Sequence, residues 1–487
     1  MNFKKRMLAK GIFVVMATMM SFACQPEGYL TNTAFINAVE EFLSSKSSTI
    51  GWTKESDGTV RLTPQNLEKI RAVTELRLDG YDISDKLTDL SDIKYFTGLT
   101  VLECSNNYLM SLDVSNNTAL ESLDCGDNQL TTLDVSKNKK LIFLDLSRNN
   151  LMSLNVSENT ALTELDCSKN NLTALDVSKN TGLTDLYCSD NALTTLDVSK
   201  NTALTTLYCE GNALTTLDVS KNTALMILGC DINRLTTLDV SKNTMLESLD
   251  CGGNKLTALD VSDNRILTEL SCPRNKLTSL DVSNNMELAT LDCGQNALTV
   301  LDVSKNTELI LLWCDDNKLT TLDVSKNTAL TDLRCNNNNL TEPDVTNNTE
   351  LTYLDCEDQA ISSLDVSQNT KLQVFMCGGN DLAELDITNN TALTGLCCDR
   401  NRLAELDITK NTALTELDCD RNRLAELDIM NNTALTKSLY CGNQTSDGST
   451  TQDLALILTA AQKTTWESKW ISDDRNKHVT ATVKTAE

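Results

Sequence analysis

Residues Leu162 to Gly182 read LTELDCSKNNLTALDVSKNTG, and close copies of this 21-residue string follow one another until about residue 443. No other feature constrains the fold as much. A unit this short cannot close a core alone, so it must bury its apolar residues against the next copy and the chain must stack into a solenoid. Each copy holds two similar half-turns, Leu162-x-x-Leu165-x-Cys167-x-x-Asn170-x-Leu172 and Leu172-x-x-Leu175-x-Val177-x-x-Asn180. The register is strict. Cysteine stands at 104 and 125 and then every 21 residues from 167 to 419, with Leu146 in the one gap and Cys441 closing the series one residue late. Val or Ile recurs in the other half-turn from Val114 to Ile429, each followed three residues later by Asn.

The first half-turn fits the pattern L-x-x-L-x-L-x-x-N/C-x-L with Cys in the third apolar slot, and the chain thereby resembles bacterial surface leucine-rich-repeat proteins over roughly three quarters of its length. The resemblance is to the internalin-like group and especially to short-repeat lipoproteins of Gram-negative cell surfaces. It implies a leucine-rich-repeat solenoid of about 17 coils of 21 residues with parallel β-ladders, a small helical N-terminal cap and an α/β C-terminal cap. It also implies a binding role, which the spacing alone does not.

Period-2 alternation sets the packing of one coil. In Leu-Asp-Cys and Leu-Asp-Val the apolar residues point one way and the residue between them points the other. Leu162, Leu165, Cys167, Leu172, Leu175 and Val177 are six inward sites, and stacking at about 4.8 Å per coil closes over them. Asn170 or Asn180 is expected to turn inward at the bend and satisfy backbone groups of neighbouring coils.

Residues 1–23 read as a targeting segment, with Lys4, Lys5, Arg6 and Lys10 ahead of the apolar run Gly11–Met20 and then Ser21-Phe22-Ala23-Cys24. The run is about half of the 20 residues that span a bilayer. The segment looks like a lipoprotein signal peptide, which implies that Cys24 becomes the lipidated first residue. Ser21 departs from the Leu usual in such signals. Gln25 and Glu27 resemble residues of lipoproteins sent to the outer membrane and the cell surface. Removing residues 1–23 takes away four basic and no acidic residues, so the formal charge moves from −26 to −30. That balance argues against nucleic acid as a partner and against direct adsorption onto anionic lipid.

Residues 24–72 are expected to form the N-terminal cap. Phe35, Ile36, Val39, Phe42 and Leu43 stand at helical spacing behind Asn32 and Thr33, and Pro64 opens a second helix. The repeats then occupy 73–443, starting with an atypical coil around Leu76 and Leu78. Residues 444–487 read as a C-terminal cap, with a strand at Leu454–Leu458, a helix over 460–470 and a closing strand around Val479 and Val483.

The cysteines invite a disulfide or metal reading, but Leu146 replaces one without other change, so the ladder is expected to be a buried, reduced core. Cys at 21-residue spacing without histidine partners is not a zinc pattern. Cys397 sits in an outward slot and is expected to be an exposed thiol. His478 is the one histidine, far from any nucleophile motif, so no triad chemistry, no enzymatic activity and no cofactor are expected. The residue before each Val or Ile is Asp in every copy except at Asn155. Such a ladder could draw calcium, although Lys three residues on in half the copies, or hydrogen bonds to backbone and Ser/Thr, would stabilise it equally well.

The two outward faces differ. On the Val side the outward residue is monotonously Asp, whereas on the Cys side it changes from coil to coil. Aromatics, Met and Arg are enriched at interface centres. The candidate contact patch is therefore Leu311, Trp313, Asp332, Arg334, Tyr353, Asp355, Val374 and Met376, with Tyr187 and Tyr208 as a weaker second patch. A protein partner is expected, glycan capture is the competing class and a spacer without ligand the third. The only membrane contact expected is through the lipid at Cys24.

Overall fold

The computed structural model describes residues 29–46, 48–81, 83–445 and 451–484. Every coil contributes one three-residue strand just ahead of its third apolar slot, from Glu75–Arg77 through Glu164–Asp166 and Leu311–Trp313 to Ser438–Tyr440. These are eighteen parallel strands, the atypical first coil and the seventeen repeat coils. The register stacks Leu on Leu, for example Leu165 on Leu186 and Leu312 on Leu333. A one-residue slip would turn every Leu outward, so the inward column fixes the register.

Beyond each strand the chain bends by a repeated device. The ladder cysteine donates its N–H to the next coil, as Cys167 does to the Tyr187 carbonyl at 2.8 Å. Two residues later the backbone enters the left-handed region, at Lys169 (φ 55°), Asp190 (φ 51°) and, in one coil, Gly211 (φ 65°). The following Asn then folds inward. Asn170 Nδ2 donates to the carbonyls of Leu146 and Cys167, while Asn170 Oδ1 accepts the Leu151 N–H. The amide thus stitches two coils where the bend has freed their backbone groups.

The Val half-turn is extended and buried but is not a sheet. Val177 is fully buried, yet its segment carries no strand, and Asn180 supplies the cross-coil bonds by donating to the carbonyls of Val156 and Asn159. Its Asp does not reach across to its neighbour. Asp176 Oδ1 accepts the Ser178 N–H at 2.9 Å, an Asx-type turn that ends the extended stretch after one residue. Asp323 and Asp344 make a single parallel bridge, and Glu426–Asp428 forms a strand because it finds a parallel partner in Leu454–Leu458.

Both ends of the solenoid are covered. At the N-terminal end Asn32 caps the helix Thr33–Ser45, Thr63 caps Pro64–Arg71, and Phe35 meets Phe96 edge-on at 5.5 Å. At the other end the helix Ala460–Thr465 is held by a Thr459–Gln462 capping box, and Gln462 Nε2 donates to the carbonyls of Ile429 and Asn432. Those are the two acceptors that an Asn of a further coil would take, so Gln462 ends the Val-side ladder by imitating one more repeat. Trp466 and Trp470, the ends of the π-helical turn that continues this helix, are buried.

Candidate binding face

On the Cys side the outward residues flank each buried Leu, and the strand register arranges them in two files. Leu311, Asp332, Tyr353 and Val374 form one file and Trp313, Arg334, Asp355 and Met376 the other. The eight residues named from the sequence therefore lie on four adjacent strands. Within them the sequence gives no hint of one contact: the Arg334 guanidinium lies between two rings, 4.5 Å from the centre of Trp313 and 4.7 Å from that of Tyr353. Asp332 holds it there, accepting from Arg334 Nε at 3.1 Å and from Nη2 at 3.0 Å, and it also accepts from Trp313 Nε1 at 3.1 Å. The Tyr353 hydroxyl turns to Met376 Sδ at 3.1 Å. Arg334 is thus a neutralised plate in an aromatic stack rather than a free cation. Asp355 is less available than expected, at 8% exposure, and burial pushes its carboxyl up to about 6.

Tyr187 and Tyr208 stand on adjacent strands with rings 5.6 Å apart and nearly parallel. They border a cavity of about 340 Å³ shared with Ser168, Lys169, Ser189, Asp190 and Glu210.

Named carboxylates of the two sides are shifted in opposite directions. On the Val side Asp113, Asp176 and Asp323 are held below the usual range, first by their Ser hydroxyls and next by backbone N–H groups. Hydrogen bonding therefore accounts for this ladder. On the Cys side burial pushes Asp124 and Asp418 up to about 7, and neighbouring carboxylates add to it. Asp418 keeps its raised value although Arg475 Nη1 stands 3.4 Å from its Oδ2.

The ladder cysteines are free and buried, and burial raises their thiols. Cys397 is not the exposed thiol expected. It is half-buried, its Sγ bonds Asp399 Oδ1 at 3.2 Å, and desolvation with Glu357 and Asp399 keeps it protonated. His478 lies 3.5 Å from Asp453 in the C-terminal elements. Cys24 lies outside the described residues, and among those described no helix is long and apolar enough to cross a membrane.

No family model matches the chain, and no curated protein does. Solved structures do. The functional domain of InlJ from Listeria monocytogenes, described as including a cysteine ladder, is 34% identical over 86% of this chain and 79% of that one, with a TM-score of 0.63. A leucine-rich-repeat protein of Leptospira interrogans is 23% identical over 72% of this chain and 97% of its own, with a TM-score of 0.65. The ectodomain of the plant receptor kinase GASSHO1/SCHENGEN3 from Arabidopsis thaliana, in complex with CASPARIAN STRIP INTEGRITY FACTOR 2, shares the fold at 20% identity, 86% and 60% coverage and a TM-score of 0.64.

Proposed function

The chain belongs to the internalin-like leucine-rich-repeat family, and from that premise we propose that it is a non-catalytic binding protein that recognises a protein partner through the outward face of its Cys-bearing strands. In this reading Cys24 carries the lipid that anchors it at the outer membrane or cell surface, and the solenoid projects from there.

The observation that supports it most is the Trp313–Arg334–Tyr353 stack, fixed by Asp332 before any partner arrives. Rigid aromatic surface loses little conformational entropy on binding, which is why Trp, Tyr and Arg recur among residues that dominate affinity. The surrounding carboxylates favour a partner with basic residues. A glycan stacking on the same rings is the second reading, supported by the parallel Tyr187 and Tyr208. Salt separates the two, since steering by the acidic face weakens as salt rises and stacking on a neutral sugar does not.

The test is capture by the fragment 25–487. Truncating a central aromatic commonly costs about 2 kcal/mol or more, roughly thirtyfold in affinity. Trp313→Ala should abolish most binding of the captured partner, and Asp323→Ala on the Val side should leave it unchanged. Equal losses in both would end the assignment of the working face.

A further inference from the structure

At two places on the Cys face a guanidinium lies on a ring. Trp313 and Tyr353 share the Arg334 guanidinium, and Tyr440 is covered by Arg475 at 3.1 Å from its centre. In both places a carboxylate beside the ring holds the guanidinium in turn. Asp332 does so for Arg334, and Asp418 and Asp473, each at 3.4 Å, do so for Arg475. The chain has thus built the same arrangement twice: a ring, a guanidinium lying on it, and an acid fixing the guanidinium's edge.

Tyr187 and Tyr208 carry the first and last of these parts without the middle one. Among the described residues no guanidinium or ammonium lies over either ring. Acids surround them nonetheless. Glu210, two residues after Tyr208, has its Oε2 buried and without a hydrogen-bond partner among the described residues. Glu164, across the strand register from Asp185, is pushed up to about 7 by burial and then by Asp185, Asp145 and Asp166. Among the described residues Lys169 lies nearby, but at 3.9 Å its ammonium serves Asp190 rather than Glu210. The ring pose is also fixed. A Cβ at Gly229, the next residue along the file, would stand 2.5 Å from Tyr208 Cδ1, so the ring lies in space that only glycine leaves open.

We infer that the cavity bordered by Tyr187, Tyr208 and Glu210 receives an arginine side chain of the partner protein, its guanidinium lying against the tyrosine pair and donating to Glu210. This rests on the reading of the Cys face as a protein-binding surface and specifies the partner's chemistry. A guanidinium suits the site better than an ammonium, because it is planar, stacks on rings and presents a fork of donors to a carboxylate. A neutral sugar would cover the rings and bring no charge to Glu210.

The probes are the peptide acetyl-Gly-Arg-Gly-amide, its citrulline and lysine counterparts, and lactose. Each is titrated into the mature chain and followed by saturation-transfer NMR. The arginine peptide should bind at least about tenfold more tightly than the citrulline peptide, which has the same shape without the charge, and more tightly than the lysine peptide. Tyr208→Ala and Glu210→Gln should each remove that preference, and Trp313→Ala should not. Equal binding of arginine and citrulline peptides, an arginine preference intact in both variants, or Tyr208-dependent binding of lactose in place of the arginine peptide would overturn the inference. Because the readout does not involve Trp313, such a failure leaves Trp313-dependent capture of the partner standing, and failure of that capture leaves the peptide result standing.

Discussion

The cross-coil Asn of the Cys side makes the sharpest test of how the solenoid is held. Asn254 is 7% exposed, its Oδ1 accepts the Leu235 N–H at 2.9 Å, and its Nδ2 faces the carbonyls of Cys230, Cys251 and Gly252 at 3.0 to 3.1 Å. Two amide hydrogens shared among three acceptors, plus the accepted bond, amount to about three bonds of ~1 kcal/mol each. Asn254→Ala also leaves the Leu235 N–H buried without an acceptor, a further ~1–3 kcal/mol, so the cost should be about 4–6 kcal/mol. The chain contains its own control. Gln359 and Gln444 take the same place in their coils, accepting the N–H of Leu340 and Leu424 and donating to the carbonyls of Cys335 and Cys419. Asn254→Gln should therefore cost only about 1–2 kcal/mol, the price of fitting one methylene. On the Val side Asn264 donates to Val240 and Asn243 and its Oδ1 accepts nothing among the described residues, so Asn264→Ala should cost about 2 kcal/mol. Repeat arrays do not unfold in one step, so the assay should be local as well as global: amide exchange at Leu235 alongside the urea midpoint. Exchange at Leu235 should quicken by about two orders of magnitude in Asn254→Ala. Wild-type protection in that variant, or equal damage from Gln and Ala, would refute the reasoning.

Three further outcomes are expected. Cys251→Ala should cost on the order of 1 kcal/mol, and thiol counting under denaturing conditions should find the ladder cysteines reduced, as they are in the structure; stoichiometric zinc or a largely oxidised ladder would contradict the packing role. Asp124, Glu164 and Asp418 hold their protons up to about pH 7 in the folded chain, well above their ordinary values. The folded state therefore binds more protons than the unfolded one between about pH 4 and 7, and stability falls as pH rises through that window. The Val-side aspartates, shifted the other way, lose their contribution only at lower pH. The melting temperature should thus be higher at pH 5.5 than at pH 7.5, and the reverse order would contradict the burial of these carboxyls. Last, Cys24→Ala should release the protein from membrane fractions, and retention there would rule out lipid anchoring at that residue.

The inward columns, the strand register and the bend asparagines were legible because 21-residue copies repeat the period-2 pattern until only one stacking satisfies it. The pattern does not distinguish the two half-turns. Leu-Asp-Cys and Leu-Asp-Val alternate identically, yet only the first pairs as a strand from coil to coil, since alternation fixes which side chain points in and not where the N–H finds its acceptor. Asp-x-Ser after Leu175 diverts that choice into a local turn. The eight patch residues could be placed from register alone, and they do share four strands. Their chemistry could not: Trp313, Arg334 and Tyr353 are about 20 residues apart in sequence, and their stack exists only once the coils are superposed. The same holds for Gln462, which reads as an ordinary capping-box residue and acts as the last rung of the Val-side ladder. Cys397 was misjudged because slot position predicts direction but not that Asp399 of its own coil and Glu357 from two coils earlier close over it.

Hydrogen exchange of the full mature chain with and without its captured partner tests the central claim most directly. Backbone amides flanking Leu311–Trp313, Asp332–Arg334, Tyr353–Asp355 and Val374–Met376 should gain protection, while those of the Asp302, Asp323 and Asp344 turns on the opposite side stay unchanged. Protection confined to the Val-side turns, with the Trp313 coils unaffected, would contradict it.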